Sequence, residues 1–208
     1  MVETKVIKID PKNPDRKLVW YIAKVIEGGG IVVYPTETSY GIATNAANAA
    51  AIKRLRVIRK PSGKPISIIV SDIEMMRKYG VITKQIEVLA KKFMPGPLTI
   101  ITNKKETIPD VLNKKEIAFR ISSHPIASML SGYAGVPITA ASANPEGVPP
   151  AFDAKKAMKY FNSKADIVVD AGRLKKCKPS TMVDMKGNPK IIRKGEITLK
   201  QIKAAIKL

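Results

Sequence analysis

"GIVVYPTETSYGIAT", residues 30–44, decides how this chain is read. Its first five residues form an unbroken run without charge, suited to a strand in a sheet covered on both faces. A proline follows, then four hydroxyl-bearing residues, Thr36, Thr38, Ser39 and Tyr40, around one carboxylate, Glu37. The stretch holds no cysteine, no histidine and no pair of metal ligands. Loops at strand ends are where α/β folds place ligand groups, so 35–41 is predicted to be such a loop. The same residue types also suit a capped turn, a reading that Thr38 and Ser39 satisfy without any ligand.

Upstream, Lys5–Asp10 alternates like a strand, and Asn13-Pro14 reads as a helix N-cap with proline at the first position. Leu18, Ile22, Val25 and Ile26 fall on one helical face, which ends at "EGGG". Downstream, Ala50 to Arg59 reads as a helix with Ile52 and Leu55 inward and Lys53, Arg54, Arg56 and Arg59 outward. "KPISIIV" (64–70) is a strand, followed by helices over 72–79 and 83–93. Strands are predicted from Leu98, over 117–121 and over "VPITAAS" (136–142), with a helix from His124-Pro125 to Tyr133. Asp153 caps a helix to Phe161. "DIVVD", "TMVDM" and "KIIRKG" are the last strands, and Thr198 caps a C-terminal helix. Interleaved strands and helices make the class α/β, with a mixed, twisted sheet, some antiparallel pairs late in the chain, and one domain over residues 1–208.

Composition narrows the chemistry. The 208 residues carry 37 Lys and Arg against 17 Asp and Glu, a formal charge of +20, which favours nucleotide phosphates or nucleic acid as partners. One cysteine, Cys177, excludes an internal disulfide and a multi-cysteine zinc site; a plain buried or half-buried thiol is expected there. The single histidine, His124, excludes His-rich metal sites, and beside Pro125 it reads as a cap or core residue, while Ser122 and Ser123 read as turn or cap residues. No run is long enough for a membrane span and the N-terminus is no targeting segment, so a cytoplasmic location is expected.

Six strand-end segments share a phosphate-friendly vocabulary: "PTETSYG" (35–41), "RKPSGKP" (59–65), "FRISSHP" (119–125), "ASANPEG" (141–147), "KPST" (178–181) and "IIRKG" (191–195). Arginine binds phosphate through a planar fork and lysine as a point charge. With neither a Walker A sequence nor GxGxxG, neither the P-loop nor the Rossmann route is open. Such groups act by positioning and electrostatic stabilisation, as in phosphoryl or nucleotidyl transfer.

"VVYPTETSYGI", "MPGPLTIIT", "IAFRISSHP", "ITAASANPEGVPP", "DAGRLKKCKPSTMVD" and "IIRKGEIT", in that order, resemble the YrdC-like threonylcarbamoyl-AMP synthase family in its short, one-domain form. The resemblance runs from about Leu18 to Ile202. It implies an open twisted sheet with a deep basic cavity. It also implies an activity: L-threonine, bicarbonate and ATP, with Mg²⁺, giving threonylcarbamoyl-adenylate and pyrophosphate for a separate transferase that modifies tRNA. By motif, Thr36, Arg120, Ala140 and Ser180 are implied for threonine, with Arg120 on its carboxylate. Arg59, Lys60, Lys64, Ser142, Asn144 and Arg193 are implied for ATP, with Arg59, Lys60 and Arg193 closest to the chemistry. The family's Lys-x-Arg is replaced here by Arg59-Lys60, and the histidine some members carry in the next strand is absent from "KPISIIV". Two alternatives stand beside this reading. One is a basic RNA-binding protein, for tRNA or double-stranded RNA, without its own catalysis. The other is the carbamoyl-adenylating domain of hydrogenase maturation proteins, whose zinc modules one cysteine cannot supply.

Overall fold

In the computed structural model, which describes residues 3–59, 65–145 and 147–207, the 30–44 stretch is a hairpin. Val32–Pro35 (β2) pairs antiparallel with Tyr40–Ala43 (β3), Val33 opposite Ile42 and Pro35 opposite Tyr40. Of the predicted loop 35–41, residues 36–39 turn while 35, 40 and 41 belong to the flanking strands. Thr36 makes that turn: its hydroxyl donates to the Ser39 carbonyl at 2.7 Å and accepts from the Thr38 and Ser39 amides at 3.2 and 3.3 Å. The strand is covered on both sides as its apolar run implies. Ile31 and Val33 enter one core, Val32 and Tyr34 the other.

The described strands form two mixed sheets. The first runs Lys5–Lys8 (β1), Ile167–Asp170 (β9), β2, β3 and Ala141–Ser142 (β8). The second runs Lys190–Arg193 (β11), Thr181–Asp184 (β10), Leu98–Asn103 (β5), Glu116–Arg120 (β6), Ile68–Ile69 (β4) and Ile138–Thr139 (β7). The mixed α/β class holds. The sheet divides because the continuous strand expected over 136–142 is broken at Ala140: Ile138–Thr139 joins one sheet and Ala141–Ser142 the other. The Ala140 amide donates sideways to the Ser67 carbonyl at 2.8 Å, which fixes the break. The larger core gathers Val33, Ile42 and Val168 from the first sheet with Ile68, Ile100, Phe119 and Val183 from the second.

Seven helices are described: Arg16–Glu27 (α1), Ala49–Arg59 (α2), Ile73–Tyr79 (α3), Lys84–Phe93 (α4), Pro125–Ala134 (α5), Ala154–Phe161 (α6) and Leu199–Ala205 (α7). Asp72, Thr83, Asp153 and Thr198 cap α3, α4, α6 and α7, each side chain accepting from an amide of the first turn. The start of α1 differs from expectation. Asp15, not Asn13, is the cap, taking the amides of Lys17 and Leu18, and a carboxylate there is further favoured by the helix dipole. The inward face is Val19, Ile22, Ala23 and Ile26, which keeps Ile22 and Ile26 of the expected stripe and leaves Leu18 exposed. The helices α1 and α5 share the second core, with Ile126, Ala127 and Leu130 meeting Ile167 and Val169. Burying an Ile such as Ile22 contributes about 1.5–3 kcal/mol. Among the described residues no helix is long and apolar enough to cross a membrane.

Candidate active site

Strand register brings the polar segments together. Gly41 of β3 lies opposite Ser142 of β8, Thr181 of β10 opposite Leu98 of β5, and Met182 opposite Arg193 of β11. Arg120 ends β6. Gly195 permits the last approach: a Cβ there would lie 2.4 Å from the Thr181 amide nitrogen and 2.5 Å from the Pro179 carbonyl. Only glycine lets the chain after β11 lie against the backbone that carries Ser180.

Two adjoining cavities result. One of about 290 Å³ is bounded by Thr36, Thr38, Arg120, Ser180, Phe152 and Thr99. The other, about 480 Å³, is bounded by Arg59, Asn113, Glu116, Asn144 and Ile192. Ser67, Ala140, Ala141, Ser142 and Arg193 belong to both and form the wall between them. The break between β7 and β8 is thus the partition of the site.

The charged groups are held firmly. Arg193 Nε donates to the Ser180 carbonyl at 3.0 Å and Nη2 to its hydroxyl at 2.8 Å, while that hydroxyl lies 2.8 Å from Thr99 Oγ1. Arg193 is exposed as a residue, yet its guanidinium is enclosed enough that its pKa is lowered, first by burial and then by the charge of Arg120. Among the described residues Arg193 forms no ion pair. Arg120 is buried, with Nη1 3.6 Å from Glu37 Oε1 and 3.4 Å from the Thr38 hydroxyl. Glu37 Oε2 in turn accepts from the Ser122 hydroxyl. Two guanidiniums thus face a shared space, with Glu37 as the counter-charge of one of them. Such a space favours an anion.

The remaining side chains sort by their contacts. Tyr40 is fully buried, its hydroxyl donating to Gly172 O at 2.8 Å and accepting from the Ala171 amide at 3.1 Å; burial raises its pKa to about 12. It packs and ties the hairpin to the chain after β9. Asn144 donates to the carbonyls of Pro145 and Val148, and its Oδ1 stays buried without a partner among the described residues. His124 precedes α5 with its Nδ1 likewise unpartnered, and burial lowers its pKa against the opposing charge of Glu37. Cys177 is exposed rather than buried or half-buried, because the chain after β9 runs along the rim of the smaller cavity. Its thiol donates to the Glu37 carbonyl at 3.1 Å.

Every described residue implied for threonine (Thr36, Arg120, Ala140 and Ser180) lines the smaller cavity. Arg59, Ser142, Asn144 and Arg193 line the larger. Lys60 and Lys64 lie outside the described residues. Thr99, Ser67, Asn113 and Phe152 were not singled out from sequence. A lone hydroxyl interrupting an apolar run, as in "PLTII" and "PISII", is the signal that marks Thr99 and Ser67.

Known proteins share this fold. The family model covering Sua5, YciO and YrdC, described as "Telomere recombination", matches residues 24–195. A Methanocaldococcus jannaschii protein named putative threonylcarbamoyl-AMP synthase is 36% identical over 205 residues, 97% of this chain and 98% of that one. A Pyrococcus abyssi threonylcarbamoyl-AMP synthase is 33% identical, over 88% of this chain and 56% of its own. The crystal structure of P. abyssi Sua5 complexed with L-threonine superposes with a TM-score of 0.91 at 31% identity, covering 98% of this chain and 61% of that one. The chain thus spans nearly all of the first relative and little more than half of the P. abyssi protein.

Proposed function

Because the chain belongs to the Sua5–YciO–YrdC family, we propose that its paired cavities carry out threonylcarbamoyl-adenylate synthesis, a nucleotidyl transfer from ATP to a carbamate formed on L-threonine. The observation that carries this reading is the common wall, Ala140 to Ser142 with Arg193, between a small hydroxyl-lined cavity and a larger one reached by Arg59 and Asn144. The smaller suits an amino acid and the larger a nucleotide. The relatives named for this activity and the L-threonine complex of P. abyssi Sua5 support the assignment.

In this reading the threonine carboxylate meets Arg120, in the space beside Glu37, and the threonine amine takes up CO₂ derived from bicarbonate. A carbamate oxygen then attacks the α-phosphorus of ATP, a P–O bond forms, and the bond to the pyrophosphate oxygen breaks. Two anions must meet, so charge has to be neutralised before anything is positioned. Arg193 sits where both cavities can use its outer N–H groups, and Arg59 lies on the nucleotide side; Lys60 and Lys64 belong to the same proposal by sequence position. Preorganised donors of this kind act on the charge that develops in the transition state. Ser142 and Asn144 would hold the nucleoside, the open Oδ1 of Asn144 being an acceptor for its N–H groups.

Mg²⁺ fits this site only as a companion of ATP. Among the described residues no cluster of three His, Cys, Asp or Glu could hold a metal, and Glu116 on the nucleotide side already pairs with Lys186. Phosphate oxygens and water satisfy magnesium in such sites. One domain over residues 1–208 is part of the proposal, supported by the pairing of β1 with β9 and of β5 with β10. So are a cytoplasmic setting and a downstream transferase acting on tRNA.

The test is direct. The protein is mixed with ATP, Mg²⁺ and bicarbonate, and pyrophosphate is measured with and without L-threonine. Release that depends on threonine is expected; release that ignores it, or none, overturns the assignment.

A further inference from the structure

The basic face of α2 is not left to solvent as its charges suggest. Arg54 Nη2 reaches Asp166 Oδ1 at 3.0 Å. Arg56 turns to the backbone instead: Nε donates to the Val111 carbonyl at 2.9 Å and Nη2 to the Leu112 carbonyl at 2.7 Å. Among the described residues Arg56 forms no ion pair, so its fork is given to two neutral acceptors. The next residue, Asn113, is 8% exposed and grips a second segment. Its Oδ1 accepts from the Ile66 amide and its Nδ2 donates to the Ile66 carbonyl, both at 3.0 Å. The side chain thus stands in for a strand neighbour, satisfying both backbone groups of a buried residue just ahead of β4.

Val111, Leu112 and Asn113, in the connection between β5 and β6, therefore hold the chain on both sides of residues 60–64, through Arg56 before them and Ile66 after. The anchor is itself fixed. Leu112 and Ile108 are fully buried in the larger core, and β6 starts at Glu116. What it holds borders the larger cavity: Arg59 lies at the end of α2, one turn beyond Arg56, and Pro65 and Ile66 stand on the far side of the stretch. Arg56 borders neither cavity, so it reaches the site only through what it holds. Asn113 does border the larger one, but its oxygen and its nitrogen are both bonded to Ile66. One such tie would be ordinary loop packing. Two ties, from adjacent residues to either end of one cavity-lining segment, are what single this anchor out.

We infer that Arg56 and Asn113 are positioning residues for the nucleotide side of the reaction: by tying the end of α2 and Ile66 to one rigid anchor, they set where Arg59 and Pro65–Ile66 stand against the larger cavity. Neither is required to touch substrate. The inference rests on the functional reading above in taking ATP as the occupant; the four hydrogen bonds stand without it.

The test reads binding apart from turnover. Mg·ATP is titrated by calorimetry into the full-length protein without L-threonine. Arg56→Lys keeps the charge and loses the two-point fork, and it is expected to weaken Mg·ATP binding about tenfold, as for one lost hydrogen bond to a charged group. Arg56→Met is expected to lose no less. Asn113→Leu, similar in size and uncharged, strands the Ile66 amide and carbonyl and is expected to weaken binding by a comparable factor. L-threonine binding without nucleotide should stay close to the wild type in Arg56→Lys, because Arg120 and Ser180 are held by Glu37 and Arg193. A general loosening of the fold would move both affinities. If Asn113→Leu does not fold, the two Arg56 variants decide. Three results overturn the inference: wild-type Mg·ATP affinity in Arg56→Lys, which assigns any effect of Arg56→Met to charge; wild-type affinity in a folded Asn113→Leu; or a parallel loss of L-threonine binding in Arg56→Lys. Absence of threonine-dependent pyrophosphate release, with Mg·ATP binding still weakened by these substitutions, sinks the catalytic reading alone. A wild type that binds no Mg·ATP sinks both.

Discussion

Arg193 grips Ser180 at two points, its Nε on the carbonyl at 3.0 Å and its Nη2 on the hydroxyl at 2.8 Å. The fork therefore fixes the residue before β10 while its remaining N–H groups stay available to the cavities on either side. Removing it takes away both a donor for developing phosphate charge and the partner that orients Ser180. Arg193→Ala is expected to lower threonine-dependent pyrophosphate release about a hundredfold. Arg193→Lys is expected to recover little, because an ammonium cannot make the two-point contact. Wild-type turnover in either variant would remove Arg193 from the phosphate role.

Arg120, buried, and Glu37, half-buried, form the ion pair of the amino-acid side, and a charge held out of water is costly to strip of its partner. Arg120→Met is expected to destabilise the fold by about 3 kcal/mol, with Glu37 left uncompensated. The double variant Arg120→Met, Glu37→Gln should regain a substantial part of that loss, as read by urea denaturation. Both variants are expected to lose saturation by L-threonine. Additive stability losses would show that the 3.6 Å pair carries no coupling.

His124 offers a test through pH. Burial lowers its folded-state pKa, so the unfolded chain takes up a proton near the ordinary value, about 6.5, while the folded chain does so only at lower pH. Between those values the unfolded state binds more protons, and stability falls as pH drops. The expected urea midpoint is level above that value and declines below it. In His124→Gln this part of the decline should vanish, leaving the steeper loss at lower pH that the carboxylates produce. An unchanged profile would mean that His124 titrates alike in both states.

Cys177 lies on the rim of the smaller cavity, where its thiol is partly desolvated although the residue is exposed, and its pKa is raised first by that desolvation and then by the charges of Glu196 and Glu37. It should therefore react slowly with N-ethylmaleimide at neutral pH and faster at alkaline pH. Turnover by Cys177→Ala is expected near the wild-type level, since no step calls on the thiol. The alkylated wild type should lose threonine-dependent activity because the adduct narrows the entrance, and Cys177→Ala treated in the same way should keep it. Activity lost in the untreated alanine variant would require a covalent role.

The legibility of the fold follows from how local each signal is. Asp72, Thr83, Asp153 and Thr198 announce their helices because a cap is a contact within one turn of chain. At α1 the Asn13-Pro14 pair drew the predicted start two residues too early, while Ile22 and Ile26 of the expected stripe are inward and Leu18 is not. The hairpin at Thr36 was hidden because its polar residues satisfy each other across the turn, while the strand they lead into, Tyr40–Ala43, is four residues long. The break at Ala140 is set by the Ser67 carbonyl, some seventy positions away, and no window of sequence contains both. The candidate site was legible through its motifs at Thr36, Arg120, Ser180 and Arg193. Thr99 and Ser67 were not, since a single hydroxyl in an apolar strand reads as tolerance until the opposite wall is known.

At Ala140 the backbone leaves one sheet and enters the other within a single residue. Whatever fills one chamber stiffens a partition that its neighbour also uses, so the loss of freedom is incurred once for two guests. Amino acid and nucleotide should then strengthen each other's affinity by a common factor, whichever arrives first.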